Sequence, residues 1–218
     1  MTFDFDLARE NMVQKQIRPW DVTDSQTLSV FMRLPRERFV AEQFHALAYA
    51  DMEIPIGGGQ TTLRPVLQAR LIQAMDVQPH HEVLQIGAGS GILTGYIALL
   101  ASKVHALEEN PDLAEHARRV LGGFRWSGHV QVELADAFAR RCSEKFHCVC
   151  FCGATVLPPL EFLSCLHPNG YIVAICGQGP MKEVLKISGN PEKPEIESLF
   201  ETDAPYLVGA EPRPHFTF

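Results

Sequence analysis

One stretch constrains the fold more than any other: Glu82-Val83-Leu84-Gln85-Ile86-Gly87-Ala88-Gly89-Ser90-Gly91. A mostly apolar run ends in three alternating glycines, and a helical pattern starts behind them. A strand that turns on glycines into a helix is the first part of a βαβ unit, and such a unit belongs to a parallel sheet. A second apolar run, Val104-His105-Ala106-Leu107, closes on Glu108. Strand, glycine turn, helix, strand and acid in that order place an adenosine-containing ligand at the carboxyl edge of the sheet.

The glycine spacing narrows the ligand. A dinucleotide fingerprint is G-x-G-x-x-G, which here requires glycine at 92, where Ile92 stands. G-x-G-x-G is instead the form associated with S-adenosylmethionine (SAM) methyltransferases. That cofactor has no pyrophosphate, so the glycines serve to let the backbone approach its methionine part and its ribose. Gly87, Gly89 and Gly91 are therefore the expected cofactor loop, with Gln85 in the strand that leads into it. Glu108 lies 17 residues past Gly91, near the offset of about 20 expected of a ribose-binding acid. Its bland reading is a solvated glutamate before a helix. Asp136, with Ala137 beside it, follows the third strand and is expected at the adenine amino group; an aspartate there also makes a good helix N-cap.

Composition sets the outer limits. With 218 residues, 46% hydrophobic and 21% charged, the chain suits a single α/β domain with a buried core. The net charge of −7, with only scattered basic pairs such as Arg118-Arg119 and Arg140-Arg141, argues against nucleic acid as substrate. The first ten residues carry no secretory signal, and no apolar run reaches the roughly 18 residues of a membrane span. A cytoplasmic protein is expected, its six cysteines reduced. Cys148, Cys150 and Cys152 alternate, which puts them on one face of a strand. They read as small hydrophobes of a buried strand rather than a metal cluster, because the second pair of a zinc site is missing. No metal is expected.

The rest of the chain divides by its punctuation. Residues 5–34 read as two helices separated at Pro19. Residues 48–56 look extended, and Gly57 to Thr62 reads as a loop, since three glycines free the backbone. Pro65 opens a helix to about Met75. Then come strand 82–86, helix 91–101, strand 103–108, helix 111–121, strands 129–134 and 146–152, helix 157–166 and strand 170–176. Residues 182–187 and 196–201 flank a Gly-Asn-Pro turn as a terminal hairpin. The expected fold is α/β: a doubly wound, mostly parallel seven-stranded sheet of Rossmann-like methyltransferase type, with helices on both faces, an N-terminal helical cap and a C-terminal antiparallel hairpin. Residues 1–218 are read as one domain, with 1–64 the cap and active-site loop and 65–218 the cofactor-binding core.

Several segments together resemble the protein-L-isoaspartate O-methyltransferase family. These are Met12 to Arg18, Leu34-Pro35-Arg36-Glu37-Arg38-Phe39-Val40, Ala48 to Asp51, Ile54 to Thr61, Val83 to Gly91, Glu108, Asp136, and Leu166-His167-Pro168-Asn169-Gly170. The resemblance implies methyl transfer from SAM to an isoaspartyl carboxylate of a damaged protein. The acceptor is thus a protein or peptide carboxylate, or else a small molecule the sequence does not identify. Three departures set the chain apart from the family pattern, and the loop change among them, with a tail from Leu199 to Phe218, resembles a divergent bacterial branch. Leu63 stands where the family has a serine facing the substrate, Gln85 where it has an acid, and His147 where it has an aspartate. Thr61 and Thr62, one or two residues early, are the hydroxyls left to compensate, and Arg64 is the candidate cation for an anionic acceptor. These three are the candidate catalytic residues. A carboxylate, with a pKa near 4, is already anionic at neutral pH and needs no general base.

Overall fold

The computed structural model describes residues 3–126, 128–139 and 142–212. Arg140-Arg141 and the tail Phe216 to Phe218 lie outside the described residues.

The helical cap comes first. Asp4 caps α1 (Phe5–Asn11), which runs on through a wider π turn (Met12–Ile17) and a 3-10 turn (Arg18–Trp20). Pro19 sits in that last turn, and Asp21 beyond it takes φ 61°. Asp24 caps α2 (Ser25–Arg33), its side chain accepting from the Thr27 N–H at 2.6 Å. The cap docks through aromatic rings: Phe31 stacks on Tyr96 with centroids 3.9 Å apart. Leu34 and Phe39 press on Gly95, where a Cβ would meet Leu34 at 3.1 Å. Glycine there lets the cap approach the helix that follows the cofactor loop.

Residues 57–62 are more ordered than three glycines suggest. Pro55–Gly57 (β1) and Gln60–Thr61 (β2) pair antiparallel, and Gly57, Gly58 and Gly59 all have positive φ. Freedom of the glycine backbone is what the hairpin's tight turn uses.

The main sheet has the order β5-β4-β3-β6-β7-β8-β9. Its strands are β3 (Glu82–Ile86), β4 (Lys103–Glu108), β5 (His129–Leu134), β6 (Phe146–Thr155), β7 (Leu166–Cys176), β8 (Lys182–Asn190) and β9 (Lys193–Thr202). The first five are parallel, and the β8–β9 hairpin is antiparallel. Strand order reverses between β3 and β6, so the crevice at their carboxyl ends is the topological switch point. The helices α3 (Pro65–Met75), α4 (Ile92–Ala98) and α5 (Pro111–Gly122) bury their side chains in one large cluster, shared with the cap and with Val83, Cys148, Cys150, Val173 and Ile175. Cys148 and Cys150 are fully buried and Cys152 packs against the same cluster, as strand alternation requires.

The other face differs from expectation. Residues 157–166 form only a 3-10 turn, Leu160–Cys165, because Pro158 and Pro159 delay its start and β7 begins at Leu166. A smaller cluster around Val149, Phe151 and Phe162 lies beneath it. Here the expectation of six reduced cysteines is also corrected: Cys142 and Cys165 form a disulfide, with Cα atoms 5.4 Å apart, a separation typical of such bonds. It ties the segment between β5 and β6 to the 3-10 turn, so a covalent link joins the two thin covers of this face. Among the described residues, no helix is long and apolar enough to cross a membrane, and no group of three His, Cys, Asp or Glu side chains is set to hold a metal.

Candidate functional site

The glycine turn is built as its spacing requires. Gly87, Gly89 and Gly91 all have positive φ (83°, 53° and 84°), which side chains with a Cβ rarely adopt. The N–H groups of Gly87 and Ala88 both donate to the Leu107 carbonyl, at 2.9 and 3.1 Å, locking the turn to β4. Gly91 does a different job: a Cβ there would lie 3.3 Å from Ala117 and Leu121, so this glycine packs the start of α4 against α5.

Glu108 ends β4 and is only 4% exposed. One carboxylate oxygen accepts from the Gly89 N–H at 2.8 Å and the other from the Asn110 N–H at 3.0 Å. Each oxygen keeps a further lone pair, so the group can still accept from two hydroxyls. It is therefore no solvated glutamate but a carboxylate fixed beside the glycine turn. Asp136 stands differently. It is exposed, and its Oδ1 accepts from the N–H groups of Phe138 and Ala139 at 2.8 and 3.2 Å, the capping arrangement. Ala137 and Phe138, rather than Asp136, line the cleft next to Glu108. Burial, followed by the charges of Asp136, Glu108 and Glu211, raises the carboxyl of neighbouring Glu109 above its ordinary range.

A second cleft opens on the other side of the glycine turn. Thr61, Thr62, Leu63, Gln68, Gln85 and Ser90 line it. Gln85 is fully buried; its amide N–H donates to the Gly87 carbonyl at 2.9 Å, while its Oε1 has no partner. The two threonines serve the hairpin. Thr61 donates to Glu53 at 3.0 Å, and the Thr62 hydroxyl accepts from the Ile54 N–H at 3.1 Å. Arg64 pairs with Asp203, which engages the charge that the sequence assigns to an acceptor. Leu63 is buried on the cleft wall. His147, by contrast, is the second residue of β6, at the opposite end of the sheet, where its Nδ1 accepts from the Glu82 N–H at 3.0 Å. Two of the three departures from the family pattern thus touch the site and the third does not.

Sequence reasoning missed what covers the glycines. Residues 204–208 form a strap along β6: Ala154 N–H donates to the Pro205 carbonyl at 2.8 Å, and Leu207 N–H to the Ala154 carbonyl at 2.9 Å. Leu207 seats on two glycines, since a Cβ on Gly87 or Gly153 would meet it at 2.8 or 2.9 Å. It lines both clefts and stands between them. From the hairpin, Ile56 lies over Gly89, and Gly58 abuts the Asn110 side chain. The signal available was the pair of small residues, Gly87 and Gly153, at the carboxyl ends of adjacent strands. Nothing local in the sequence names their partner. The paired clefts, the acid beside the glycine turn and the unpartnered Gln85 oxygen fit a ligand with a ribose at one end and a polar group at the other.

The family model for protein-L-isoaspartate(D-aspartate) O-methyltransferase matches residues 7–194. The chain belongs to this family. A relative from Aeropyrum pernix named protein-L-isoaspartate O-methyltransferase is 33% identical over 202 residues, covering 88% of this chain and 78% of its own. One of the same name from Myxococcus xanthus is 34% identical over 182 residues, covering 82% and 86%. Among solved structures, a Plasmodium falciparum protein described as a protein-L-isoaspartate O-methyltransferase, in complex with S-adenosyl-L-homocysteine, superposes with a TM-score of 0.74 at 17% identity, covering 94% of this chain and 99% of that one. At that identity the likeness carries the fold, which is the family's seven-stranded arrangement with its C-terminal antiparallel strands.

Proposed function

We propose that this chain is a SAM-dependent O-methyltransferase acting on a carboxylate of a protein or peptide, with the L-isoaspartyl side chain as the first candidate. The single observation that carries this reading is Glu108: a buried carboxylate, held by the Gly89 N–H, with capacity left for the two ribose hydroxyls. Gln85, Gly87, Gly89, Gly91 and Ala137 hold the rest of the cofactor, and Asp136 supports the adenine side through the turn it caps. The cofactor, when bound, supplies a methyl group on a sulfonium, open to in-line displacement.

The chain's own residues then have a modest task. The acceptor carboxylate is anionic at neutral pH, so no residue has to remove a proton. Thr61 and Thr62 hold the hairpin over the cleft, Arg64 fastens it to the strap, and Leu63, Ile56 and Leu207 keep water out. Orientation of this kind is worth roughly 7–11 kcal/mol when reacting atoms are well aligned. The loss of a serine at position 63 therefore removes one contact and leaves the main source of acceleration. We further read residues 1–218 as one unit, cytoplasmic, with no nucleic-acid partner.

The test is transfer of labelled methyl to an isoaspartyl peptide beside its normal aspartyl twin. Label on the isoaspartyl peptide alone, lost with Glu108→Ala, supports the reading. S-adenosylhomocysteine binding without label on either peptide would replace it with a cofactor-binding protein of another acceptor or of none.

A further inference from the structure

We propose that Arg36 and Gln68 form a carboxylate-reading pair in the second cleft, with Gln68 touching the ligand and Arg36 positioning Gln68. Only the acceptor arm of this inference rests on the methyl-transfer reading.

Arg36 is 1% exposed. Its Nε donates to the Ala48 carbonyl at 2.7 Å, and its Nη1 to Gln68 Oε1 at 2.5 Å and the Tyr96 hydroxyl at 3.2 Å. All three partners are neutral oxygens. No ion pair among the described residues includes it. A guanidinium cannot lose its proton, and a buried cation without a counter-charge is costly. Such a site gains from an anion that arrives with a ligand.

Gln68 connects that charge to the cleft. It is 2% exposed, sits in α3 just after the hairpin, and lines the same space as Thr62, Leu63 and Gln85. Arg36 has donors only, so it must face the amide oxygen of Gln68, and this fixes which way the amide is turned. The NH2 group is what remains to meet a ligand, polarised by the guanidinium behind it. A donor backed by a cation favours a carboxylate. The unpartnered Gln85 Oε1 on the same cleft is a second sign that a polar ligand belongs there. Two carboxylates are available, that of the cofactor's methionyl end and that of the acceptor.

Gln68→Glu separates this role from a structural one. The new carboxylate can pair with Arg36, so the thermal midpoint holds or rises, while a ligand carboxylate meets repulsion instead of a donor. S-adenosylhomocysteine, 5′-methylthioadenosine (the nucleoside thioether without the amino-acid end) and an isoaspartyl peptide are the probes. If the cofactor's carboxylate is read, S-adenosylhomocysteine binds at least ~10-fold more weakly and methylthioadenosine binds as before. If the acceptor's is read, both nucleosides bind as before and the peptide KM rises at least ~10-fold. Arg36→Lys, added to Gln68→Leu, brings no further loss if Arg36 acts through Gln68; an additive loss removes Arg36 from the pair. An equal fall for both nucleosides, or no change in any of the three in the folded variant, overturns the proposal. A wild-type protein that labels no isoaspartyl peptide defeats the methyl-transfer reading alone, and the two nucleosides then decide between support and rejection.

Discussion

Glu108 holds the glycine turn through Gly89 and, on the proposed reading, keeps spare lone pairs for a ribose. Glu108→Gln keeps the shape and removes the charge. Hydrogen bonds to a charged group contribute about 1.5–3 kcal/mol each, so S-adenosylhomocysteine affinity is expected to fall by about ten- to a hundred-fold, read by calorimetry; the thermal midpoint falls as well, because the amide NH2 cannot accept from one of the two N–H groups that Glu108 now serves. The place of Glu108 beside the glycine turn was legible in the sequence because its spacing from Gly91 is set by one βαβ unit, a local matter. Asp136 was legible only as an acid after a strand. Whether such a residue faces a ligand or caps its own turn depends on backbone N–H groups that the sequence does not position. The disulfide was missed for another reason: the expectation of free thiols came from compartment, whereas pairing depends on two loops meeting across the thin face of the sheet.

At the scale of elements, hairpin and strap close the site together, and Arg64–Asp203 is their junction across 139 residues of sequence. A local pattern gives no access to a contact of that range, so Arg64 read as a free cation. The partners are partly exposed, at 36% and 63% of their side chains, and exposed pairs contribute about 0.2–1 kcal/mol. Asp203→Asn should therefore speed release of S-adenosylhomocysteine by no more than about five-fold in stopped-flow measurements. A much larger effect means that the strap depends on this pair more than its exposure allows. The strands of the main sheet, by contrast, were all readable, three of them to the residue and four within three or four residues at an end, since period-2 alternation and glycine or proline punctuation are local; the stretch 48–56 read as extended is turn and bend as far as Met52, and β1 begins only at Pro55. The helix expected at 157–166 was not, because Pro158 and Pro159 at its start and β7 from Leu166 left room for one 3-10 turn.

Over the whole molecule, two features lie away from the site and bear on stability. At the amino-terminal end of the sheet, His81 and His147 stack with ring centroids 4.9 Å apart, flanked by His80 and His167. Each of the stacked pair accepts a backbone N–H at Nδ1, from Gln78 and Glu82, so protonation there breaks a bond. Burial first, then neighbouring imidazoles, hold both rings below the ordinary histidine range, with Asp76 and Glu82 opposing the shift. A depressed histidine stabilises the fold in its neutral form. That contribution is complete above the unfolded value of about 6.5 and is lost as pH falls below it. The thermal midpoint should drop between pH 7.5 and 5, and His147→Gln should flatten the drop; an equal slope in both proteins would remove the stack from the account. The second feature is the disulfide across a separation of 23 residues, worth about 3 kcal/mol by loop closure. Reductant should lower the wild-type midpoint to that of Cys142→Ser and leave the variant unmoved. The strap, finally, sets an order in time. Leu207 completes a cleft whose glycines were made more than a hundred residues earlier, so a nascent chain that has already formed β3, β4 and Glu108 still lacks a wall of its cofactor site. Until synthesis has passed the strap, both clefts lack the wall that Leu207 gives them.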